Sequence, residues 1–225
     1  KGIIFLGGMY NYDESRLRML RVPYVISGSG KTVPEDTGTY PKSALVTTDT
    51  EIESQSMVDY LCSCGHKRIA FITSGDEGLG RCHLNGYKRS LEKNGLEYDE
   101  KLIIRLKPGK RIYTIENGYN CTCELLKSGV DFSCIYAISD TLAVGACRAV
   151  IDSGKRVPED YCVAGADGQD IAEYYHPSIT TLKYPRVEIA LQSVRTLFGL
   201  IDRKKVVKRQ ILGGTLIERE STRKL

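Results

Sequence analysis

Long apolar runs, histidines and catalytic signatures are what this chain has least of. No stretch approaches the roughly 18 consecutive apolar residues that a membrane-spanning helix needs, so no membrane partner is expected. The apolar opening Gly2-Ile3-Ile4-Phe5-Leu6-Gly7-Gly8 is too short for a secretory leader and reads as a buried strand. With three histidines in 225 residues, catalytic pairings are few and no spacing suggests one. There is no Gly-x-Gly-x-x-Gly after a strand, no Walker loop, no Gly-x-Ser-x-Gly elbow and no His-Glu-x-x-His. The Gly-rich segment from Gly75 to Gly80 lacks the Lys-Ser/Thr of a phosphate cradle. The chain is therefore not expected to be an enzyme, and no catalytic residue, cofactor or metal site is assigned. A net charge of +4, mild and scattered, does not by itself indicate nucleic acid.

Cysteine, by contrast, is plentiful. Cys62-x-Cys64 and Cys121-x-Cys123 lack the two-residue gap of zinc knuckles, and residues two apart on a helix face different ways. A disulfide framework is disfavoured because Cys62, Cys123 and Cys147 fall inside helical patterns. The eight cysteines read as free, mostly buried thiols in a reducing, cytoplasmic compartment. A hydrophobic content of 41% is enough for a real core, and 27% charged residues is ordinary for a soluble protein. The length fits one large α/β unit or two lobes.

The organisation is regular. Ile69 to Ile72 is a short apolar strand, followed by a Gly-rich loop and a helix with Leu84, Tyr87 and Leu91 on one face, stopped at Asn94-Gly95. A strand near Leu102 to Leu106 and a helix from about Glu116 to Ser128 follow, closed by Gly129. Then come Ile135 to Ile138, a helix from Thr141 to Ser153 closed by Gly154, and a strand from Tyr161 to Ala166. Strand, helix and glycine stop recurring about every 30 residues is the pattern of βαβ units around a parallel sheet. Ahead lie Ile3 to Leu6, a helix near Glu14 to Leu20, and Tyr24 to Ile26. Behind lie the helix Arg186 to Ile201 and a last strand near Thr215 to Glu218. No linker rich in Pro, Gly or Ser divides the chain, and no sequence repeat is seen.

Residues 162 to 185 carry the most specific signal. Gly165-Ala166-Asp167 delivers a carboxylate at the carboxyl end of a strand, the edge of an open α/β sheet where small ligands sit. Pro177, Thr180-Thr181-Leu182 and Pro185 read as a second extended segment beside it.

Four segments in order are similar to the effector-binding core of the LacI/GalR family of bacterial transcription repressors. The first is Tyr60-Leu61 running into Gly65-His66-Lys67-Arg68-Ile69-Ala70-Phe71-Ile72, and the second is Gly86-Tyr87. The third is Ser139-Asp140-x-x-Ala143-x-Gly145 with Val157-Pro158-Glu159-Asp160. The fourth runs from Ala164-Gly165-Ala166-Asp167 through Pro177 and Thr180-Thr181 to Leu216-Ile217-Glu218-Arg219-Glu220-Ser221. Together they cover nearly the whole chain. The resemblance implies an α/β fold of two Rossmann-like lobes with parallel sheets, of the type seen in periplasmic sugar-binding proteins. Crossings between lobes would fall near Asp49, Lys183 and Ile211, giving an amino-terminal lobe of 1–49 with 184–211 and a carboxy-terminal lobe of 50–183 with 212–225. Family members carry a helix-turn-helix, a hinge helix and two βα units ahead of the segment that starts at Gly2. The first lobe is thus expected to be incomplete, with apolar sheet edges left unpaired, and the sequence to be part of a longer chain.

The same resemblance nominates site residues, each with a plainer alternative. Asp167 matches the carboxylate that accepts hydrogen bonds from effector hydroxyls, or it caps the following turn. Tyr113 stands where relatives often place an aromatic that stacks on a sugar or base, or it packs a loop. Relatives usually have arginine three residues before the Gly-aromatic pair; here that position is His83, with Arg81 two residues earlier. Either His83 serves as a donor, or Arg81 reaches in as a fork for carboxylate or phosphate, or both belong to a solvated helix start. Ser139-Asp140 falls where some sugar repressors touch effector, and equally where a helix needs an N-cap. Tyr184 either contacts ligand from a crossing or packs between lobes. Gly28-Ser29 replaces an acid-led pair common in relatives. His66 reads as structural, and the basic run Arg203-Lys204-Lys205 with Lys208-Arg209 as a solvated helix end.

The expected function is effector sensing: a small sugar or related metabolite held between lobes, in a homodimer, shifting a conformational equilibrium that spaces DNA-binding heads. Operator DNA would be met only through a DNA-binding domain absent from this chain. The alternative is the solute-binding protein of a sugar transporter.

Overall fold

The structure, a computed structural model, describes residues 1–7, 14–28, 42–107, 109 and 111–225. Gly8, the last residue of the opening apolar run, and Ser29 lie outside them. In chain order the elements begin with β1 (Ile3–Leu6), α1 (Glu14–Arg18), β2 (Tyr24–Ser27), β3 (Ser43–Thr47), α2 (Thr50–Ser63), β4 (Ile69–Thr73) and α3 (Gly78–Lys93). They continue with β5 (Ile103–Arg105), α4 (Ile115–Lys127), β6 (Cys134–Ala137), α5 (Asp140–Asp152), β7 (Cys162–Ala164) and α6 (Asp170–Tyr174). The last are β8 (Thr181–Lys183), α7 (Arg186–Ile201), β9 (Arg209–Ile211) and β10 (Thr215–Ile217). The chain divides into two compact units, residues 1–49 with 185–214 and residues 50–184 with 215–225.

In the first unit four parallel strands run in the order β1-β2-β3-β9. Val25, Ile26, Ala44, Leu45 and Val46 are wholly buried, the continuous apolar pattern of inner parallel strands. Helix α7 covers the sheet with Ile189, Ser193, Thr196 and Leu200, a set spaced for one helix face. Two sequence expectations change here. The opening run is an edge strand, with Ile3, Ile4 and Phe5 half-buried and Leu6 exposed, because among the described residues β1 pairs with β2 alone. Lys208-Arg209 is not a helix end: α7 stops at Ile201, Arg203 turns through a left-handed conformation (φ 55°), and Arg209 pairs beside Leu45 as the start of β9.

The second unit holds a parallel sheet in the order β5-β4-β6-β7, with an antiparallel pair formed by β8 and β10. Strands β4 and β6 are buried along their whole length. Phe71 stacks on Tyr87 with ring centroids 4.9 Å apart and on Tyr136 at 5.2 Å. The Tyr87 hydroxyl donates to the Ile69 carbonyl at 2.8 Å, so the ring is buried without stranding its polar atom. His66 is buried with Nδ1 2.9 Å from the Ser133 hydroxyl, a structural role.

Helices α4 and α5 pack through Gly118 and Gly145. A Cβ at Gly118 would run into the Leu142 backbone, and one at Gly145 into the Ile115 carbonyl and the Tyr119 amide. Each neighbour is backbone, which cannot step aside, so the two helices touch only because both positions lack a side chain. This contact fixes α5, whose first residue is Asp140. Gly145→Ala should therefore cost about 1–3 kcal/mol through overpacking, although alanine is the better helix former; a urea unfolding series with unchanged slope and a lower midpoint would show it.

Candidate functional site

The chain leaves β7 at Ala164 and bends past β8 through Gly165, Ala166 and Asp167. The Gly165 amide donates to the Thr180 carbonyl at 2.8 Å, the Asp167 amide to Leu182 at 3.1 Å, and the Tyr184 amide to the Asp167 carbonyl at 3.3 Å. Asp167 adopts φ 101° and Gly168 φ 64°, two successive residues in the region that disfavours L side chains. A non-glycine residue held there costs on the order of 1–3 kcal/mol and persists only where its surroundings over-determine it. The surroundings do so here: besides the backbone bonds, Asp167 Oδ2 accepts from Gln169 Nε2 at 3.0 Å.

Beneath this turn lies Asp140, with no exposed surface. Its amide donates to the Ala166 carbonyl at 2.8 Å. Its Oδ2 accepts from the Gln169 amide at 2.6 Å, and its Oδ1 accepts from the Thr181 hydroxyl at 2.6 Å. The Thr181 oxygen in turn accepts from the Gly168 amide at 3.3 Å. A Cβ at Gly165 would strike Asp140 Oδ1, so glycine is required for the carboxylate to sit against the turn. Burial pushes the Asp140 carboxyl up to about 6; the Thr181 and Gln169 hydrogen bonds pull the other way, the Asp167 charge adds to the rise, and Arg219 opposes it.

Ser139 occupies the N-cap position of α5 with extended backbone, but its side chain makes no capping bond, contrary to the plain reading. Its hydroxyl lies 2.7 Å from the Thr141 hydroxyl, which donates to the Tyr113 carbonyl at 3.2 Å. The neighbouring Asp140 carboxylate takes its bonds from Thr181 and Gln169, not from the first turn of its own helix. The Tyr113 ring remains 45% exposed.

Hydrogen bonds and chain adjacency thus bring together Tyr113, Ser139, Asp140, Asp167 and Tyr184 at the carboxyl ends of β6, β7 and β8. Arg81 and His83 stand apart on α3, and among the described residues no hydrogen bond joins them to this network. Arg81 is exposed. His83 is half-buried, not at a solvated helix start: its carbonyl accepts from the Ser54 hydroxyl at 2.8 Å, while Nδ1 is sealed from solvent with no hydrogen-bond partner among the described residues. Burial lowers the His83 imidazole to about 4, so it is neutral at pH 7. Gly28 follows β2 with φ 76°, its amide donating to Val46 at 2.8 Å.

Gln169 and Thr181 were absent from the sequence candidates. The available signal was the Asp167-Gly168 dipeptide, a turn mark, which folds Gln169 back over both carboxylates. Among the described residues no group of three or more His, Cys, Asp or Glu is placed to hold a metal ion, all eight cysteines are free, and no helix is long and apolar enough to cross a membrane.

Asp140 should leave a mark on stability. Burial lifts its carboxyl to about 6 from an ordinary value of 3.8, so between those values the folded chain binds a proton that the unfolded chain does not. Stability from this residue is present below about pH 4 and is lost as pH rises through about 6, by at most about 3 kcal/mol. Urea midpoints measured from pH 4 to pH 8 should fall across that window in the wild type relative to Asp140→Asn; parallel profiles would contradict the assignment.

The family described as periplasmic binding protein-like domain matches residues 58–222. Over 98% of its length the chain is 35% identical to the HTH-type transcriptional regulator MalR of Clostridium butyricum, covering 64% of that protein. Among solved structures, the Escherichia coli transcriptional repressor AscG superimposes with a TM-score of 0.79 at 27% identity, over 93% of this chain and 72% of that one. A complex of the transcriptional regulator CelR with cellobiose gives 0.80 at 30% identity, over 98% of this chain and 65% of that one. The chain spans about half to two thirds of the length of the curated relatives it matches. These relatives are regulators of transcription, not enzymes, and the α/β units with parallel sheets are those expected of them. The chain belongs to the LacI family of transcriptional regulators, of which it carries the periplasmic-binding-protein-like domain.

Proposed function

We propose that this chain is the effector-sensing domain of a LacI-type transcriptional repressor, taking a small sugar or sugar-like metabolite at the carboxyl edge of the second unit's parallel sheet. One observation carries the reading: Asp167 is held in a costly backbone conformation by a network that satisfies its own backbone and fixes its carboxylate. Strain of that kind gathers at binding and switch sites. An ionised carboxylate is acceptor-only and suits a ligand rich in hydroxyl donors. The half-exposed Tyr113 ring offers a flat apolar face, and the orphan Nδ1 of His83 is a buried polar atom awaiting a partner. Ser139 and Tyr184 complete the proposed contacts, with Arg81 at the margin. Asp140 belongs to the same site from below.

The two units are read as the two lobes of the family fold, the first one incomplete. In this reading the protein works as a cytoplasmic homodimer and meets operator DNA through a DNA-binding domain outside this chain. Effector binding favours one of two states, and a coupling of about 1–3 kcal/mol is enough to change operator affinity 5- to 150-fold. A relative solved with cellobiose supports a saccharide, and relatives named as regulators favour this reading over a transporter's solute-binding protein.

Thermal unfolding in the presence of cellobiose, maltose and ribose tests it. A specific ligand at about 100 times its Kd adds about 2.7 kcal/mol, which for a chain of this size raises Tm by roughly 5 °C or more. Asp167→Ala should weaken the sugar that binds by about tenfold or more, the loss of a charge-assisted hydrogen bond. Unchanged affinity in that variant would remove Asp167 from the site.

A further inference from the structure

Helix α7 carries apolar residues on two sides. Ile189, Ser193, Thr196 and Leu200 are buried where it packs onto β1, β2 and β3. Val187, Leu191, Val194 and Phe198 are 44% to 67% exposed. At about 3.6 residues per turn the second set lies almost opposite the first. A surface helix ordinarily turns polar residues outward on that side. Apolar side chains exposed singly are ordinary, whereas a contiguous row of them marks an interaction surface.

The row is spaced four, three and four residues apart. That is the spacing of a coiled-coil seam, beside which flanking charges choose the partner and its direction. The two flanks differ here. On one, Glu188 follows Val187 and Arg195 follows Val194, and both charged residues are exposed. On the other stand Ala190 and Leu197, without charge. A second α7 laid parallel would turn its uncharged flank toward Glu188 and Arg195 and leave both unpaired. Laid antiparallel about a two-fold axis, like flank faces like flank. Glu188 then meets Arg195 of the second copy and Arg195 meets its Glu188, while Val187 is level with Phe198 and Leu191 with Val194. A two-fold contact has to be self-complementary in this way. Opposite charges on a single flank are what a copy of the same helix requires.

We infer that α7 is a self-association surface, pairing antiparallel with α7 of a second copy of this chain. The inference goes beyond effector sensing and does not rest on which ligand binds. Four seam residues a side fall short of the roughly 1,200 Å² of a standard interface, so the association is weak and reversible.

Sedimentation velocity on the chain over roughly 1 to 200 μM, a range suited to a small contact, tests it. Leu191→Glu combined with Phe198→Glu should weaken association on the order of tenfold or more, because the seam would then bury unpaired charge. Glu188→Arg alone and Arg195→Glu alone should each weaken it severalfold, since each sets like charges opposite one another. An equimolar mixture of those two variants restores both opposite-charge contacts and should recover wild-type association as a mixed species. All four positions are exposed, so circular dichroism and urea midpoints should stay at wild-type values. Should the double glutamate variant not fold, the charge exchange decides by itself. Association that ignores all these substitutions overturns the inference and places the contact between copies elsewhere, leaving the homodimer reading intact. Single charge variants whose mixture recovers nothing overturn the antiparallel pairing and the inference with it. No association across that range overturns it too, and leaves the row to a helix of another protein.

Discussion

A formal negative charge carried into a place with no solvent is the constraint around which the carboxyl edge of the second unit's sheet is built. Asp140 could sit there only if both oxygens were satisfied, and the two donors that satisfy them come from different parts of the chain: the Gln169 amide after β7 and the Thr181 hydroxyl on β8. The same pair of bonds therefore closes the turn at Asp167 against the strand beside it. Charge-assisted hydrogen bonds are roughly twice as strong as neutral ones, which suits them to a turn whose backbone is strained at Asp167. Glycine at 165 is part of the same arrangement, since any side chain there would occupy the carboxylate's place.

Much of this framework is legible in the sequence, for identifiable reasons. The second unit's helices end at Gly95, Gly129 and Gly154, all with positive φ, and the strands between them are continuous apolar runs, so period and punctuation agree. The carboxyl-edge position of Asp167 follows from the same pattern. What the sequence concealed depended on contacts between distant residues. β9 is a strand because Arg209 pairs beside Leu45; its own composition, basic and half-exposed, points elsewhere. The half-buried state of β1 depends on which neighbour it has, and periodicity does not reveal that. Gln169 enters the site through its backbone amide and its side-chain amide, and Thr181 through its hydroxyl, and none of these hydrogen bonds leaves a periodic trace. Ser139 shows the opposite error: its position is that of a cap, but a nearby hydroxyl offered it another partner.

Two histidines that each bury an unpartnered nitrogen differ in their position on the fold. His66 has its Nδ1 engaged by Ser133 but its Nε2 sealed without a partner among the described residues, at the amino end of β4, away from the sheet's carboxyl edge. His83 is sealed at Nδ1 with no partner, near the start of α3, the helix that follows the carboxyl end of β4. Buried polar atoms are nearly always paired, so an unpaired one costs about 1–3 kcal/mol. The same cost is met at His66 and at Thr122, so an unpartnered atom alone does not distinguish the carboxyl edge of the sheet from the rest of the unit. The neutral state of His83 matters to this argument, because a neutral imidazole offers one donor and one acceptor, matching hydroxyls and not demanding an anion.

The energetic logic of Asp140 runs against stability. Ionising it in place is unfavourable enough to lift its carboxyl to about 6, so at neutral pH the folded chain carries a charge it would be more stable without. Replacing a buried charge by a neutral group of the same shape is often neutral or stabilising, and asparagine could meet both Gln169 and Thr181 here. Fold maintenance alone therefore gives no reason for a carboxylate at this position. What the charge adds is a stronger grip on the Gln169 amide, and through the Gln169 side chain on Asp167. The charge at Asp140 thus costs stability at its own position and fixes the geometry of the strained turn above it.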